Sequence, residues 1–249
     1  MVMFLTSNLN HYHKDNGKKV ANEIDNINGL VDQIKAYLKG NNSILFISAN
    51  SKDIEKNNEY SNILFNALRL SNITFKNYNV LNDETKKDAK RLIEEADFIF
   101  LSGGDTYIQN EFFENINLKM LLQNYDGIIM GQSAGALNMA TNVFNSPEEK
   151  EESEPIYFTG LGLTELNIEP HFIEDTSSFD EYEVFQRLYV LEESCKRIIY
   201  ALCDGSHILI VDGRETMYGD GYIIENGKID KVCTQGDKYN LNRRRNNCL

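Results

Sequence analysis

The sequence has no run of about 18 consecutive apolar residues, the length that a membrane-spanning helix requires. It also lacks an excess of basic residues, since 25 Lys and Arg stand against 38 Asp and Glu and leave a formal net charge of −13. A surface of this sign repels the phosphates of nucleic acids and of anionic membranes. We therefore expect no nucleic-acid partner and no membrane partner.

Cysteine is also scarce, and no C-x-x-C pair is present. The four cysteines are Cys195, Cys203, Cys233 and Cys248. Such isolated positions are typical of free thiols in a cytoplasmic protein and argue against a cysteine metal site. The first residues have no basic lead and no long apolar stretch, so we interpret them as a strand and not as a signal peptide.

No internal repeat and no linker rich in Pro, Gly or Ser divides the chain. Its length fits one large α/β domain, which we assign to 1–249. The polar end of the chain, 237–249, includes Arg243, Arg244 and Arg245 and is predicted to be a flexible tail.

Strand and helix patterns alternate along the first half of the sequence. They fall in the order Val2–Thr6, Ile24–Leu38, Ile44–Ser48, Tyr60–Leu70, Thr74–Val80, Glu84–Ala96 and Phe98–Ser102. This alternation predicts a three-layer α/β/α sandwich with a mostly parallel central sheet. Near the C-terminus, Tyr222–Ile224 and Lys228–Val232 flank Asn226-Gly227, which predicts an antiparallel hairpin with a type I′ turn.

Residues 126–140 are the most informative stretch of the chain. A short apolar run, Ile128 to Met130, leads into Gly131-Gln132-Ser133-Ala134-Gly135 and then into a helix-forming run. A G-x-S-x-G between a strand and a helix is the pattern of a nucleophile elbow, in which the turn leaves no space for Cβ atoms. Ser133 is therefore the candidate nucleophile, although an ordinary serine in a glycine-rich turn would look the same.

A serine hydroxyl needs a positioned base at neutral pH. The four histidines are His11, His13, His171 and His207. His171 follows a predicted strand at the sheet edge that carries the elbow, where parallel α/β folds gather their active residues, but a structural histidine is also possible there. His11 and His13 have an H-x-H spacing without a third ligand nearby, so we expect no metal, and His207 begins a strand as a core or edge residue.

The base needs an acidic partner that fixes its tautomer. Asp204 ends the next predicted strand and is favoured over Glu174 and Asp175, which lie in the loop after the histidine. The oxyanion needs donors, for which the N–H of Ala134 and the loop 102–106 are candidates. That glycine-containing loop could also be a phosphate-binding turn, but it lacks the P-loop and dinucleotide-binding patterns.

These motifs, in this order, resemble peptidase E (aspartyl dipeptidase) and its relatives, which include cyanophycinase. The matching pieces are 4–8, 103–106, 131–136, 169–172 and 201–205. Gly-x-Ser-Ala-Gly-Ala followed by Pro-His-Phe, with 38 positions between Ser133 and His171, is far more specific than either motif alone. The resemblance implies a serine peptidase with a fold like the class I glutamine amidotransferases.

The resemblance also implies a set of site residues. They are the nucleophile Ser133, the base His171, the acid Asp204, and the oxyanion donors Gly104 and Ala134. Their neighbours Asp105, Thr106 and Gln132 are expected to contact the substrate. No cofactor and no metal are expected.

The sequence departs from the family pattern around the substrate. The family carries a glutamate where Asp204 stands, and its substrate-binding arginine aligns with Glu183, one helical turn before Arg187. The aspartate that peptidase E carries after the elbow helix has no clear counterpart in 145–148. Because a glutamate repels a substrate carboxylate, strict cleavage after N-terminal aspartate is not expected.

The leading hypothesis is a cytoplasmic serine peptidase, a monomer or homodimer, that cleaves short peptides through an acyl-enzyme. A glutamine-amidotransferase-like domain is one alternative, although that chemistry needs a cysteine at position 133. A non-catalytic binding module with the same fold is the other. The acidic run Glu148–Glu154 is interpreted as a solvated loop, with a lid as the alternative.

Overall fold

An eight-stranded sheet forms the centre of the molecule, and the computed structural model describes residues 1–147 and 155–242. The strands in these ranges are β1 (Val2–Thr6), β2 (Tyr12–Asp15), β3 (Lys18–Ala21), β4 (Ser43–Ile47), β5 (Asn77–Leu81), β6 (Phe98–Leu101), β7 (Ile128–Gln132), β8 (Asn142–Asn145), β9 (Ile156–Thr159), β10 (Asn167–Glu169), β11 (Ile199–Leu202), β12 (His207–Val211), β13 (Arg214–Tyr218), β14 (Gly221–Glu225), β15 (Lys228–Cys233) and β16 (Lys238–Asn240). The helices are α1 (Leu30–Tyr37), α2 (Ile54–Leu70), α3 (Ala89–Glu95), α4 (Thr106–Asn115), α5 (Leu118–Leu121), α6 (Ala134–Leu137) and α7 (Glu181–Glu193), with a 3₁₀ turn at Lys86–Asp88.

The central sheet has the strand order β16-β13-β12-β1-β7-β6-β4-β5. Five of its eight strands are parallel, namely β1, β7, β6, β4 and β5. The other three, β12, β13 and β16, continue the sheet in antiparallel pairs. Parallel strands end at a common edge, so the loops after β1, β6 and β7 lie side by side. This mostly parallel sheet confirms the predicted fold class.

The two faces of the sheet bury two separate apolar cores. Neighbouring residues of one strand belong to different cores, as Phe4 and Leu5 do, because side chains alternate across a strand. Helices α1 and α2 pack on one face, and α3, α4 and α6 pack on the other. Helices on both faces explain why the parallel strands β1, β4 and β6 are buried along their whole length.

A second sheet of four strands, in the order β10-β11-β14-β15, lies beside the central one. It contains the predicted C-terminal hairpin, whose turn residues Asn226 and Gly227 both have positive φ, as a type I′ turn requires. It also contains β10, the strand that precedes His171. The expectation that His171 and the elbow follow strands of one sheet is therefore wrong, although the two sheets bring them together.

Two segments differ from the sequence expectations near the chain's ends. The predicted helix Ile24–Leu38 begins only at Leu30, and the polar region before it forms the hairpin β2–β3 around Asn16-Gly17. Within the predicted flexible tail 237–249, Lys238–Asn240 instead pairs with β13 as an edge strand. The three arginines of the tail and the acidic run 148–154 lie outside the described residues.

None of the helices in the described ranges combines the length and the apolarity that crossing a bilayer requires.

Candidate active site

The turn between β7 and α6 places Ser133 at the end of a central parallel strand. Ser133 has φ 49° and ψ −114°, a conformation that costs energy for a residue with a Cβ and that recurs at functional sites. A Cβ on Gly131 would lie 2.5 Å from the Ala136 nitrogen, and one on Gly135 would collide with the Leu101 backbone. The tight packing that the elbow motif predicts therefore accounts for both glycines.

His171 and Asp204 complete a chain of hydrogen bonds with Ser133. The Nε2 atom of His171 lies 3.0 Å from Ser133 Oγ, and its Nδ1 atom lies 2.7 Å from Asp204 Oδ1. This serine–imidazole separation lies within the range of about 2.6–3.2 Å that is expected between a nucleophile and its base. The geometry allows the imidazole to take a proton from the serine while the carboxylate holds the ring.

The two other acidic candidates have different partners. The Glu174 carboxylate accepts a 2.7 Å hydrogen bond from the Tyr222 hydroxyl, and Asp175 accepts one of 2.9 Å from the Ser177 backbone N–H. Of the three acids considered from the sequence, the structure brings Asp204 to the imidazole.

Ser7 is a fourth member of this network, and sequence analysis did not identify its role. Its Oγ donates a 2.8 Å hydrogen bond to Asp204 Oδ1 and accepts a 2.8 Å hydrogen bond from the His171 backbone N–H. Ser7 follows β1 and is completely buried. The sequence feature that indicates such a role is the position of a polar residue directly after a central parallel strand.

The environment of Asp204 favours its ionised form. Half-burial alone would raise the pKa of the carboxyl, but hydrogen bonds from His171, Ser7 and Asn8 and the charge interaction with His171 outweigh this effect. The pKa of Asp204 therefore lies below its usual value. At neutral pH the group is a carboxylate that can orient the imidazole and stabilise an imidazolium.

The candidate oxyanion donors lie next to the serine. Ala134 begins α6, and the first N–H groups of a helix have no acceptor within it. Gly104 has φ 148°, and a Cβ there would lie 2.6 Å from the Ala49 side chain. The preceding Gly103 packs against Ser133, since a Cβ on it would lie 3.6 Å from the serine Cβ. The loop after β6 therefore runs beside the elbow, as an oxyanion role requires.

The three expected substrate contacts have different surroundings. Gln132 lines a cavity together with Ser133. Asp105 caps α4 by accepting a 2.8 Å hydrogen bond from the Ile108 N–H, and Thr106 is buried. Asp105 thus stabilises the start of a helix, and neither Asp105 nor Thr106 is among the residues that line the cavities at Ser133.

Two cavities meet at the Ser133–His171 pair. The helix-side cavity, of about 310 Å³, extends toward α7 and is lined by Glu169, Glu183 and Arg187 among others. The hairpin-side cavity, of about 290 Å³, extends toward β2–β3 and is lined by Lys19 and Tyr60 among others. A larger hollow of about 840 Å³ near Asn26 and Cys233 does not include Ser133 or His171, and we do not associate it with this chemistry.

A model of peptidase family S51 matches residues 16–217, which include Ser133, His171 and Asp204. This range is well over half of the chain. The chain belongs to peptidase family S51. Membership in this family confirms the resemblance to peptidase E, and S51 is a family of serine peptidases.

One curated relative of the S51 chain has a name that agrees with this assignment. A Drosophila melanogaster protein named "Probable alpha-aspartyl dipeptidase" is 30% identical over 103 residues, or 39% of this chain. The match spans 42% of that relative, less than half of its length.

Two solved structures resemble the S51 chain in fold. A peptidase from an acI-B1 actinobacterium has a TM-score of 0.68 at 14% identity, over 96% of each chain. A Listeria monocytogenes EGD-e protein assigned by its name to peptidase E has a TM-score of 0.55 at 18% identity, over 84% of this chain and 93% of its own. At these identities the likeness concerns the fold alone.

The S51 chain carries Glu183 and Arg187 in the helix-side cavity. Glu183 belongs to a capping box at the start of α7, in which its Oε2 accepts a 2.8 Å hydrogen bond from the Asp180 N–H. The Arg187 guanidinium lies 4.0 Å from the Phe172 ring centre and donates to the Ile173 carbonyl at 2.7 Å. Burial lowers the pKa of Arg187, while the charge of Glu169 opposes this shift.

Two of the remaining histidines of the S51 chain, His11 and His207, are buried. Burial, and to a lesser extent the charge of Lys19, lowers the pKa of His11 to about 4. His207 stacks on Tyr218 and lies 2.8 Å from the Gln33 side-chain oxygen, and burial lowers its pKa to about 3. Within 1–147 and 155–242, no group of three or more His, Cys, Asp or Glu could hold a metal ion. Cys195, Cys203 and Cys233 are free thiols.

Proposed function

We propose that this S51 protein hydrolyses short peptides through an acyl-enzyme formed on Ser133. The observation that carries the proposal is the continuous hydrogen-bond chain from Ser133 through His171 to Asp204. Asp204 takes the place of the family glutamate, and its 2.7 Å contact with His171 needs no bridging water. Ser7 donates a second hydrogen bond to the same Asp204 oxygen.

Acylation begins when Ser133 Oγ attacks the substrate carbonyl carbon and His171 Nε2 takes the hydroxyl proton. Negative charge then develops on the carbonyl oxygen, and the N–H groups of Gly104 and Ala134 stabilise it. The carbon–nitrogen bond breaks as the imidazolium donates its proton to the leaving amine. Asp204, ionised at neutral pH, stabilises the imidazolium in between.

Deacylation repeats these steps with water. His171 takes a proton from a water molecule that attacks the ester carbonyl, the same two N–H groups hold the oxyanion, and the proton returns to Ser133 Oγ as the acid product leaves. No metal or cofactor takes part in this scheme. The two cavities are at or below the lower end of the size range of small-ligand sites, which favours short peptides over folded proteins.

The test combines covalent labelling with a dipeptide-library assay on wild type and Ser133→Ala. We expect a fluorophosphonate probe to label the wild type at Ser133, and the variant to lose roughly four to six orders of magnitude in kcat. Ser48→Ala is the matched control, because Ser48 is a fully buried serine after the parallel strand β4 and lines neither cavity at Ser133.

Equal labelling of Ser133→Ala would contradict the proposal. Wild type that binds peptides and cleaves none would favour a non-catalytic module. Hydrolysis of glutamine with release of ammonia would favour an amidotransferase-like activity.

A further inference from the structure

The two cavities at Ser133 differ in charge. Glu169, Glu183 and Arg187 line the helix-side cavity, which leaves one net negative charge there. Lys19 lines the hairpin-side cavity, and none of the described residues around that cavity is Asp or Glu. A short peptide is itself a dipole, with an ammonium group at one end and a carboxylate at the other. The charges of the cavities therefore favour one direction of binding across Ser133.

Lys19 is held in place by aromatic rings. Its Nζ lies 4.1 Å from the Tyr60 ring centre and 4.7 Å from the Tyr12 ring centre, distances at which the ring faces attract a cation. Within the part of the chain that the structure describes, Lys19 forms no ion pair with a carboxylate. The ammonium is therefore positioned and is not neutralised by the protein.

The hairpin β2–β3 determines which lysine faces the cavity. Side chains alternate along β3, so Lys19 is partly buried against the cavity while Lys18 and Val20 are exposed. His11 lies close enough for the charge of Lys19 to contribute to its lowered pKa, and it is neutral at pH 7. Lys19 is thus the fixed positive charge of the hairpin-side cavity among the described residues that line it.

We propose that Lys19 binds the free C-terminal carboxylate of the residue that leaves with the amine, and so determines specificity. The peptide ammonium then lies in the helix-side cavity near Glu169 and Glu183. This inference rests on the proposed function and names the substrate class of the same site. It identifies unblocked peptides with one residue after the cleaved bond.

The size of the hairpin-side cavity supports this assignment. Ser133 and Lys19 both line its volume of about 290 Å³, and an extended chain advances at most about 3.6 Å per residue. We assign the carboxylate that meets Lys19 to the first residue beyond the cleaved bond, because a cavity of this size leaves little space for a longer segment between Ser133 and Lys19. Ile63, Leu64 and Tyr60 give the cavity an apolar wall for that residue's side chain.

The experiment compares alanyl-leucine with its C-terminal amide on wild type, Lys19→Met and Lys19→Arg. For wild type we expect kcat/KM to favour the free acid roughly tenfold, the value of one hydrogen bond between charged groups. Lys19→Met should bring this ratio close to one, chiefly through KM, and Lys19→Arg should restore most of it. The exposed neighbour Lys18 provides the matched control, Lys18→Met, which should keep the wild-type ratio.

An unchanged ratio in Lys19→Met, or no preference in wild type, would overturn the inference while leaving the peptidase proposal intact. If wild type cleaves neither alanyl-leucine nor its amide, the role of Lys19 is tested by binding affinity instead. Calorimetry with Ser133→Ala then compares both compounds with and without Lys19→Met. Equal affinity for acid and amide would overturn the role of Lys19 in that case as well.

Discussion

Ser7 connects the two loops that carry the proposed base and acid, because one hydroxyl bonds to the Asp204 carboxylate and to the His171 N–H. We expect Ser7→Ala to lower kcat roughly 10- to 100-fold, the usual cost of losing a group that orients another. Loss of this hydrogen bond also raises the pKa of Asp204. The acid limb of the kcat–pH profile should therefore move to higher pH, which a pH-rate series measures.

Ser48→Ala is the control for Ser7→Ala, because both serines are fully buried after parallel strands. Ser48 Oγ donates to the Leu81 carbonyl at 3.2 Å and does not touch the site. Ser48→Ala should lower the stability about as much as Ser7→Ala does and leave the pH profile of kcat as it is in wild type. Identical pH profiles for wild type and Ser7→Ala would exclude the positioning role.

Glu183 is predicted to disfavour acidic side chains at the substrate's first residue. Glu183→Gln keeps an oxygen that can accept the capping hydrogen bond but removes the charge. We expect the ratio of kcat/KM for aspartyl-leucine over alanyl-leucine to rise roughly two- to fivefold. The effect is modest because solvent partly screens the repulsion between Glu183 and the substrate carboxylate. The exposed Glu181 of the same helical turn supplies the control, Glu181→Gln. A ratio that falls or stays constant would contradict this role.

At the scale of single elements, the elbow packs directly against the backbone of β6. A methyl group on Gly135 would meet the backbone of Leu101 in β6, whereas one on Gly103 would be at ordinary contact distance, 3.5 Å from the Gln132 carbonyl oxygen. We expect Gly135→Ala to lower the free energy of unfolding by about 2 kcal/mol or more. Gly103→Ala should cost clearly less. Urea unfolding measures both, and equal losses would refute the packing argument.

Elements with strong local patterns were predictable from the sequence. The strand β7 and its Gly-x-Ser-x-Gly turn follow from an apolar run and glycines that the packing demands. The hairpin β2–β3 has an Asn16-Gly17 turn with positive φ at both residues, so the sequence contains the signal of its turn. Its strands are mostly exposed and polar, which removed the usual apolar alternation.

The sheet to which a strand belongs could not be predicted in the same way. β10 has only three residues, and its pairing with β11 depends on contacts far apart in sequence. The roles of Ser7 and Lys19 depend on the same long-range arrangement. Local patterns thus predicted Ser133 and His171, whereas the structure was needed to find the residues that support them or complete the cavities.

At the scale of the whole molecule, two buried neutral histidines link stability to pH. The pKa of His207 is lowered to about 3 and that of His11 to about 4, both by burial first. An unfolded histidine has a pKa near 6.5, so between about pH 6.5 and these values the unfolded chain binds more protons. Their contribution to stability is complete above about pH 6.5 and decreases as the pH falls toward 4.

His207→Phe isolates one of these two contributions and keeps an aromatic ring against Tyr218. We expect the free energy of unfolding of this variant to depend less steeply on pH, by about 1.4 kcal/mol per pH unit between about pH 6 and 4. Urea titrations at several pH values measure the slope of the free energy of unfolding against pH. This slope does not depend on how much stability the substitution costs at neutral pH. Parallel curves for wild type and variant would contradict the argument.

A cytoplasmic location and a monomeric or homodimeric state stay predictions.

The proposed reacting groups come from two different sheets. Ser133 and Ser7 follow β7 and β1 of the central sheet, whereas His171 and Asp204 follow β10 and β11 of the smaller one. A displacement of about 1 Å between reacting groups is enough to slow a reaction about 100-fold. The rate of turnover therefore depends on the relative position of the two sheets. In rising urea, activity should vanish while circular dichroism still reports intact helices and strands.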